Sequence, residues 1–314
     1  MSDPETLTIL VTGGAGFIGS HVADAYVAAG HRVHILDDLS SGRRDNIPEG
    51  AELHELDIRS DEAATLIREM RPDVLSLHAA QMDVRRSTED PRFDADVNIL
   101  GTLNLLEACV VAGLRQVIFA STGGAIYGEQ DYFPADEGHP TRPVSPYGVS
   151  KLACEGYLYY YHVQHGLDVT CLRYANVYGE RQNPHGEAGV VAIFLNKLLR
   201  GEHPVINGDG LQTRDYVHVS DVSQANLLAL GTSGFEIINV GTGWETSVVD
   251  LANLIARSVG SQEPFQHGPA MAGEQQRSCI DASRLRELFG IESLVPVDRG
   301  LEMTANWFVA ESAS

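Results

Sequence analysis

Positive charge is scarce in this chain. Its 314 residues carry 22 Lys and Arg against 43 Asp and Glu, a formal net charge of −21. Such a body repels nucleic acid and anionic membrane surfaces, so neither is an expected partner. Any phosphate-bearing ligand must be held by local donors against the overall field. Cysteine is scarce as well: Cys109, Cys154, Cys171 and Cys279 stand in no Cys-x-x-Cys or His-rich spacing. That points to neither a disulfide framework nor a zinc site, and no metal is expected. The first residues, MSDPETLTIL, are acidic where a secretory signal needs basic ones, and no run of 18 apolar residues occurs. The expected compartment is the cytoplasm. Repeats, low-complexity tracts and a Ser/Pro/Gly linker are absent too.

What is present is a globular composition, 43% hydrophobic and 21% charged, long enough for one large domain or two smaller ones. Short β-branched runs at 7–11, 32–36, 52–56, 74–78 and 116–120 alternate with helical patterns at 17–29, 61–70 and 97–112. This alternation predicts right-handed βαβ crossovers and an α/β fold, a Rossmann-like doubly wound parallel sheet with helices on both faces. A long helix is expected over 145–165 and a strand over 167–173. Beyond about residue 175 the pattern loosens into a smaller mixed α/β lobe, with helices near 190–200, 219–230 and 248–259. Strands are expected near 204–206, 216–218 and 236–240. The expected division is a dinucleotide-binding domain over 1–175 and a substrate lobe over 176–314, with chain able to cross back to the first.

Gly13, Gly16 and Gly19 stand in Gly-x-x-Gly-x-x-Gly spacing between the first strand and the first helix. Gly13 permits the tight turn, Gly16 lets backbone N–H groups approach a pyrophosphate, and Gly19 lets helix and strand close up. Phe17 and Ile18 open the helix, whose N-terminus offers donors and partial positive charge to an anion. The second strand ends at Asp37, 24 residues after Gly13. A carboxylate there accepts from both ribose hydroxyls and disfavours a 2′-phosphate, which argues for NAD over NADP. Asp38 is either a ligand contact or the cap of a turn. Asp57 and Ile58, at the next strand end, either meet the adenine or form a generic acidic turn.

Ser145-Pro146-Tyr147-Gly148-Val149-Ser150-Lys151 opens the long helix, with Ser145 as N-cap and Pro146 in the first helical position. Tyr147 and Lys151 are then one turn apart on one face. A free phenol, with a pKa of about 10, is a poor base at neutral pH. A nearby ammonium and an oxidised nicotinamide would both stabilise the phenolate, readying Tyr147 to deprotonate an alcohol while hydride leaves the same carbon. A hydroxyl after the strand at 116–120, Thr122 or Ser121, could bridge alcohol and phenol.

Glycine turn, strand-end Asp, hydroxyl and Tyr-x-x-x-Lys together resemble the extended short-chain dehydrogenase/reductases. The segments 36–42, His78-Ala79-Ala80, Ile126-Tyr127-Gly128, 172–179 and 213–219 narrow the likeness to the nucleotide-sugar epimerases. The resemblance spans about 7–308. It implies tightly held NAD and a 4-epimerisation in which Tyr147 takes the sugar O4 proton, C4 hydride is accepted, and hydride returns to the other face of a 4-keto sugar. It adds Ser41, Ala79, Ala80, Asn98 and Tyr174 as cofactor contacts. Asn176, Val190, Arg214, Glu274 and Ser278 are implied as contacts to a UDP-sugar. Without the resemblance Asn176 is a turn former, and Arg214 is a partner of Asp215 or another carboxylate.

Thr122 is followed by Gly123-Gly124-Ala125, without the acid that related dehydratases place there, which favours epimerisation. Met271 and Met82 replace basic residues of relatives, and Ser278 replaces a bulky tyrosine. That small side chain predicts some turnover of N-acetylhexosamine nucleotides. A UDP-glucuronate 4-epimerase or another sugar-nucleotide modifying enzyme is the alternative, and an inactive NAD-sensing regulator is the alternative of another class. A homodimer through the helix over 97–112 and the helix from Tyr147 is implied by resemblance.

Overall fold

In a computed structural model the described residues are 6–184, 189–271 and 275–313. Strands β1 (Thr8–Thr12), β2 (Arg32–Asp37), β3 (Glu52–Glu55), β4 (Val74–Leu77), β5 (Gln116–Thr122) and β6 (Asp168–Tyr174) join the strand Phe235–Val240 in one seven-stranded sheet. The order is Phe235–Val240, β6, β5, β4, β1, β2, β3. The crossovers β1–β2, β3–β4 and β4–β5 run through helices, respectively α1 (Phe17–Ala28), α2 (Asp61–Met70), and the run α3 (Val84–Glu89), α4 (Pro91–Ala95), a π-helical turn at Asp96–Leu100 and α5 (Gly101–Ala112). Strands β2 and β3 are joined by a loop with a single 3₁₀ turn at Arg44–Asn46. The pairings β4–β5, β1–β4, β1–β2 and β2–β3 are parallel. A short helix α6 (Gly123–Ile126) follows β5, and α7 is Pro146–His165.

The chain divides into two compact units. The first comprises the residues up to Ile126, Pro143–Arg173 and Ser223–Ile238; the second Tyr127–Arg142, Tyr174–Val222 and Asn239–Ser314. In the first, α2, α5 and α7 share a core with the sheet through Ile67, Leu105, Leu106, Cys109 and Leu158. Tyr26 of α1 reaches Ser76 and the carbonyl of Asn226 instead, both at 3.4 Å. Taken end to end, Pro91–Ala112 is long and apolar enough to cross a membrane by length and composition. Leu105 and Leu106 nevertheless lie in this core, and Asp94, Asp96 and Glu107 interrupt the segment.

Among the described residues the second unit holds three small sheets. Asn176–Tyr178 pairs with Tyr216–His218, and Val205–Asn207 with Gln266–Gly268. Thr213–Arg214 lies between Thr246–Ser247 and Arg277–Ser278. Helices Val190–Leu199, Val248–Ser258 and Val297–Ala313 bury Leu195, Leu251, Ile255 and Leu301 in a core of their own.

Candidate active site

The parallel strands of the first unit all end on one edge, where the chemistry-bearing residues collect. After β1, Gly13 takes φ +67°, and a side chain on it would lie 2.7 Å from the Ala79 nitrogen beyond β4. A Cβ on Gly19 would stand 2.2 Å from the Gly13 carbonyl oxygen, so only glycine fits where α1 closes on the turn. The first-turn N–H groups of α1, at Phe17, Ile18 and Gly19, have no partner within the helix, and Gly16 brings no side-chain cap. This is a cradle of donors, the chemistry an anion requires.

Asp37, buried at the end of β2, accepts from the Ala15 and Leu39 backbone N–H groups at 3.0 and 2.9 Å. Two of its four lone-pair sites remain, the number two ribose hydroxyls require. Burial raises its pKa, and the two N–H donors oppose that rise. The residues present therefore fit a dinucleotide. Asp38 is exposed and turned into a cap, accepting from the Ser40 N–H and hydroxyl at 3.0 and 2.6 Å, with Ser41 exposed beyond it. Asp57 is clasped by the Arg59 guanidinium, which holds its carboxyl below the usual range, while Ile58 is buried. Ala79 donates to Thr12 Oγ1 at 3.1 Å, and neighbouring Ala80 is half-buried. Asn98 spends its amide within the protein: it accepts from the Gln81 N–H at 2.8 Å and donates to the Gln81 carbonyl, Asp94 and Ser150.

At the end of β5, Thr122 Oγ1 accepts from the Ala125 N–H at 3.2 Å and hydrogen-bonds the Tyr147 phenol. Ser121 is committed elsewhere, donating to Glu155 at 2.6 Å. The hydroxyl that meets the phenol is thus Thr122. Helix α7 starts as its sequence dictates: Ser145 Oγ accepts from the Gly148 N–H at 3.2 Å and Pro146 fills the first turn. Gly148 lets it lie against α6, since a Cβ there would meet the Ala125 carbonyl at 2.8 Å. Ser87 accepts from the Tyr147 N–H at 3.3 Å.

Lys151 is buried, donates to the Ala120 carbonyl at 2.9 Å, and lies 4.8 Å from the Phe119 ring centre and 6.0 Å from that of Tyr147. Burial pulls its pKa down to about 8, with Cys154, Asp94 and Glu155 opposing. Tyr147 departs from the expectation of an acidified phenol. Burial, with the Asp94 charge adding to it, pushes its pKa up to about 12 despite the Thr122 bond. The ammonium is directed at a carbonyl instead of the phenol oxygen, so the chain alone keeps Tyr147 protonated.

Sequence reasoning missed three participants. Asp94, 1% exposed, accepts from Gln81 and Asn98 and faces Tyr147 and Lys151 electrostatically. Glu155 and Arg173 form a buried two-point ion pair, at 2.9 and 2.6 Å, that carries Ser121. An ionised residue four places beyond Lys151, on an otherwise apolar helix face, was the available signal. His78, held down to about 3 by burial and then by the Lys151 charge, is neutral and bonded to Ser76 at 3.0 Å.

In the second unit Tyr174 is buried, and the Asn176 backbone and side-chain N–H groups both donate to the Asp215 carbonyl, at 2.9 and 3.3 Å. Arg214 donates to the Thr213 carbonyl at 2.8 Å. The Asp215 carboxylate accepts instead from Thr242, Gly243 and Ile280. Ser278, 2% exposed, stands opposite Arg214 in the strand register. Arg277 forks onto Glu245 at 3.0 and 2.6 Å and lies 3.9 Å from the centre of the Phe133 ring. Val190 begins its helix. Met82 and Met271 are exposed. Glu274 lies outside the described residues.

Fold and site edge define a nucleotide-binding enzyme of the extended short-chain dehydrogenase/reductase class. More narrowly, the chain belongs to the NAD dependent epimerase/dehydratase family, whose model matches residues 9–241. A UDP-glucose 4-epimerase of Mycolicibacterium smegmatis is 45% identical over 305 residues, 95% of this chain and 97% of that one. The crystal structure of Thermotoga maritima UDP-glucose 4-epimerase with UDP-glucose superposes with a TM-score of 0.95 at 44% identity, covering 98% of this chain and all of that one. The Thermus thermophilus UDP-glucose 4-epimerase complex with NAD gives 0.92 at 43% identity, covering 96% and 99%.

Proposed function

We infer that this chain is an NAD-dependent isomerase that inverts C4 of UDP-glucose and UDP-galactose through a 4-keto sugar. The observation that carries the reading is the Thr122–Tyr147 hydroxyl pair with Lys151 beneath it, on the sheet edge that also bears the glycine cradle. When bound, NAD supplies the acceptor and donor for the C4 hydride and a positive ring charge. Tyr147 takes the O4 proton, holds it on its phenol oxygen, and gives it back to the ketone oxygen. Thr122, its own oxygen anchored by Ala125, directs its proton at that phenol oxygen and stabilises the phenolate. Lys151 positions the ribose and brings positive charge to the site. Gly13, Gly16, Gly19 and Asp37 hold pyrophosphate and adenosine ribose, with Tyr174 a further contact. Asn176, Val190, Arg214 and Glu274 serve the diphosphate and uridine side, as the family resemblance implies.

The small Ser278 leaves space beside sugar C2, so UDP-N-acetylhexosamines are turned over in addition. Exposed apolar side chains on α5 and α7, among them Val111, Tyr157, Tyr160 and Val163, support a homodimer through these helices.

The test is proton NMR of UDP-glucose incubated with the purified protein. UDP-galactose must form without net redox change; its absence, with substrate recovered intact, overturns the assignment. Parallel incubations with UDP-N-acetylglucosamine and UDP-glucuronate define sugar scope, and Ser278→Tyr must selectively abolish the first.

A further inference from the structure

At the far side of the sheet from β5, the two outermost strands bring together three residues that no motif connects. The parallel register sets His34 opposite Glu52 and Leu36 opposite His54. Residues 34, 52 and 54 therefore share one face, because side chains alternate along a strand. His34 Nδ1 and His54 Nε2 stand 3.2 Å apart, and the Glu52 carboxylate oxygens lie 3.5 Å from the first and 3.9 Å from the second. The imidazole centres are 5.4 Å apart, with the rings inclined by 24°.

These separations have a specific meaning. Two nitrogens each about 2.0–2.1 Å from one tetrahedral ion lie roughly 3.3–3.4 Å from one another. The imidazoles are already close to that spacing, and a ligand oxygen of Glu52, an exposed side chain, lies within 4.8 Å of both nitrogens. We propose that His34, Glu52 and His54 bind one zinc-type dication at the outer edge of the sheet, leaving its fourth position to water. Two imidazoles and one carboxylate select zinc, cobalt or nickel over magnesium or calcium. The charge of Arg32 acts on His34 and opposes a cation. The Glu52 carboxylate offsets it. In the sheet order, β4 and β1 lie between β5 and these two strands. The ion accordingly takes no part in the sugar chemistry; it ties β3 to β2.

The experiment uses full-length, tag-free protein stripped with a chelator. Titration with Co²⁺ must give the visible ligand-field bands of a tetrahedral site at one ion per chain, and calorimetry with Zn²⁺ the same stoichiometry. Mg²⁺ must give neither. His34→Asn and His54→Asn must each weaken binding at least about tenfold, with Glu52→Gln between them and the parent, and epimerisation by His54→Asn must match the parent. Zinc at about 100 times its Kd must raise Tm by roughly 4 °C. Absence of saturable Co²⁺ or Zn²⁺ binding overturns the site. So does binding that survives unchanged in both histidine variants; if His34→Asn fails to fold, His54→Asn alone decides.

Discussion

Half-buried Tyr147 and buried Lys151 carry opposite electrostatic burdens one helical turn apart. The phenol is pushed up to about 12 and the amine down to about 8, so burial favours the neutral form of each. A base at neutral pH therefore has to be made by charge brought in from outside the chain. In the NAD-loaded protein the Tyr147 absorbance transition, isolated as the difference from Tyr147→Phe, must fall to lower pH than in the cofactor-free protein. Tyr147→Phe must lower kcat by about 10²–10⁴ while NAD still binds, as read by fluorescence titration. Retention of most activity rejects Tyr147 as the base.

Lys151 is one of two lysines in the chain, Lys197 being the other. Keeping it charged at pH 7 costs about 3 kcal/mol, from the fall of its pKa to about 8. Lys151→Met removes that cost and forfeits the bond to Ala120, worth about 1–2 kcal/mol. The cofactor-free variant must then be the more stable at pH 7, by roughly 1–2 kcal/mol in urea unfolding, while inactive. Between pH 8 and 10.5 the unfolded lysine holds a proton that the folded one has lost. Parent stability thus rises through that window and the advantage of the variant fades. The Tyr-x-x-x-Lys pair was legible in the sequence because one helical turn fixes its spacing. The direction of its pKa shifts was not, since burial and Asp94 come from elsewhere in the chain.

At the scale of elements, α7 shows how a helix that carries a proposed base is held. Its position rests on Gly148 against Ala125 and on the buried Glu155–Arg173 pair. Gly148→Ala must shift the helix, cost about 1–3 kcal/mol in denaturant unfolding, and lower kcat with it. Arg173→Leu alone must cost about 3–5 kcal/mol by stranding Glu155, whereas Glu155→Leu with Arg173→Leu must recover most of the loss. Strands β1 to β6, the glycine turn and the start of α7 were readable because hydrophobic period, glycine spacing and capping residues are local signals, whereas the short strands Asn176–Tyr178 and Gln266–Gly268 were missed. The two-residue strands Thr213–Arg214, Thr246–Ser247 and Arg277–Ser278 were missed too, being too short for any period. Val297–Ala313 escaped notice although its 17 residues form a full helix. The His34–Glu52–His54 cluster was invisible for another reason: it exists only once two strands are in register.

For the whole molecule the dominant fact is the charge of −21 acting on anionic ligands. At low salt the body repels a nucleoside diphosphate sugar over a screening length of about 30 Å, and near physiological salt over about 8 Å. The KM for UDP-glucose must therefore fall as NaCl rises from about 10 to 150 mM, with kcat little changed. A KM that climbs over that range shows that local donors, and not the global field, govern capture.

The polypeptide switches between its two units at 126, 142, 173, 222 and 238. No single incision can separate them as intact pieces. A fragment stopping near 175 lacks the strand Phe235–Val240 from the first, and the remainder lacks Tyr127–Arg142 from the second. Neither half is a portable module that recombination could shuffle into another gene, so the two units are inherited as one indivisible block.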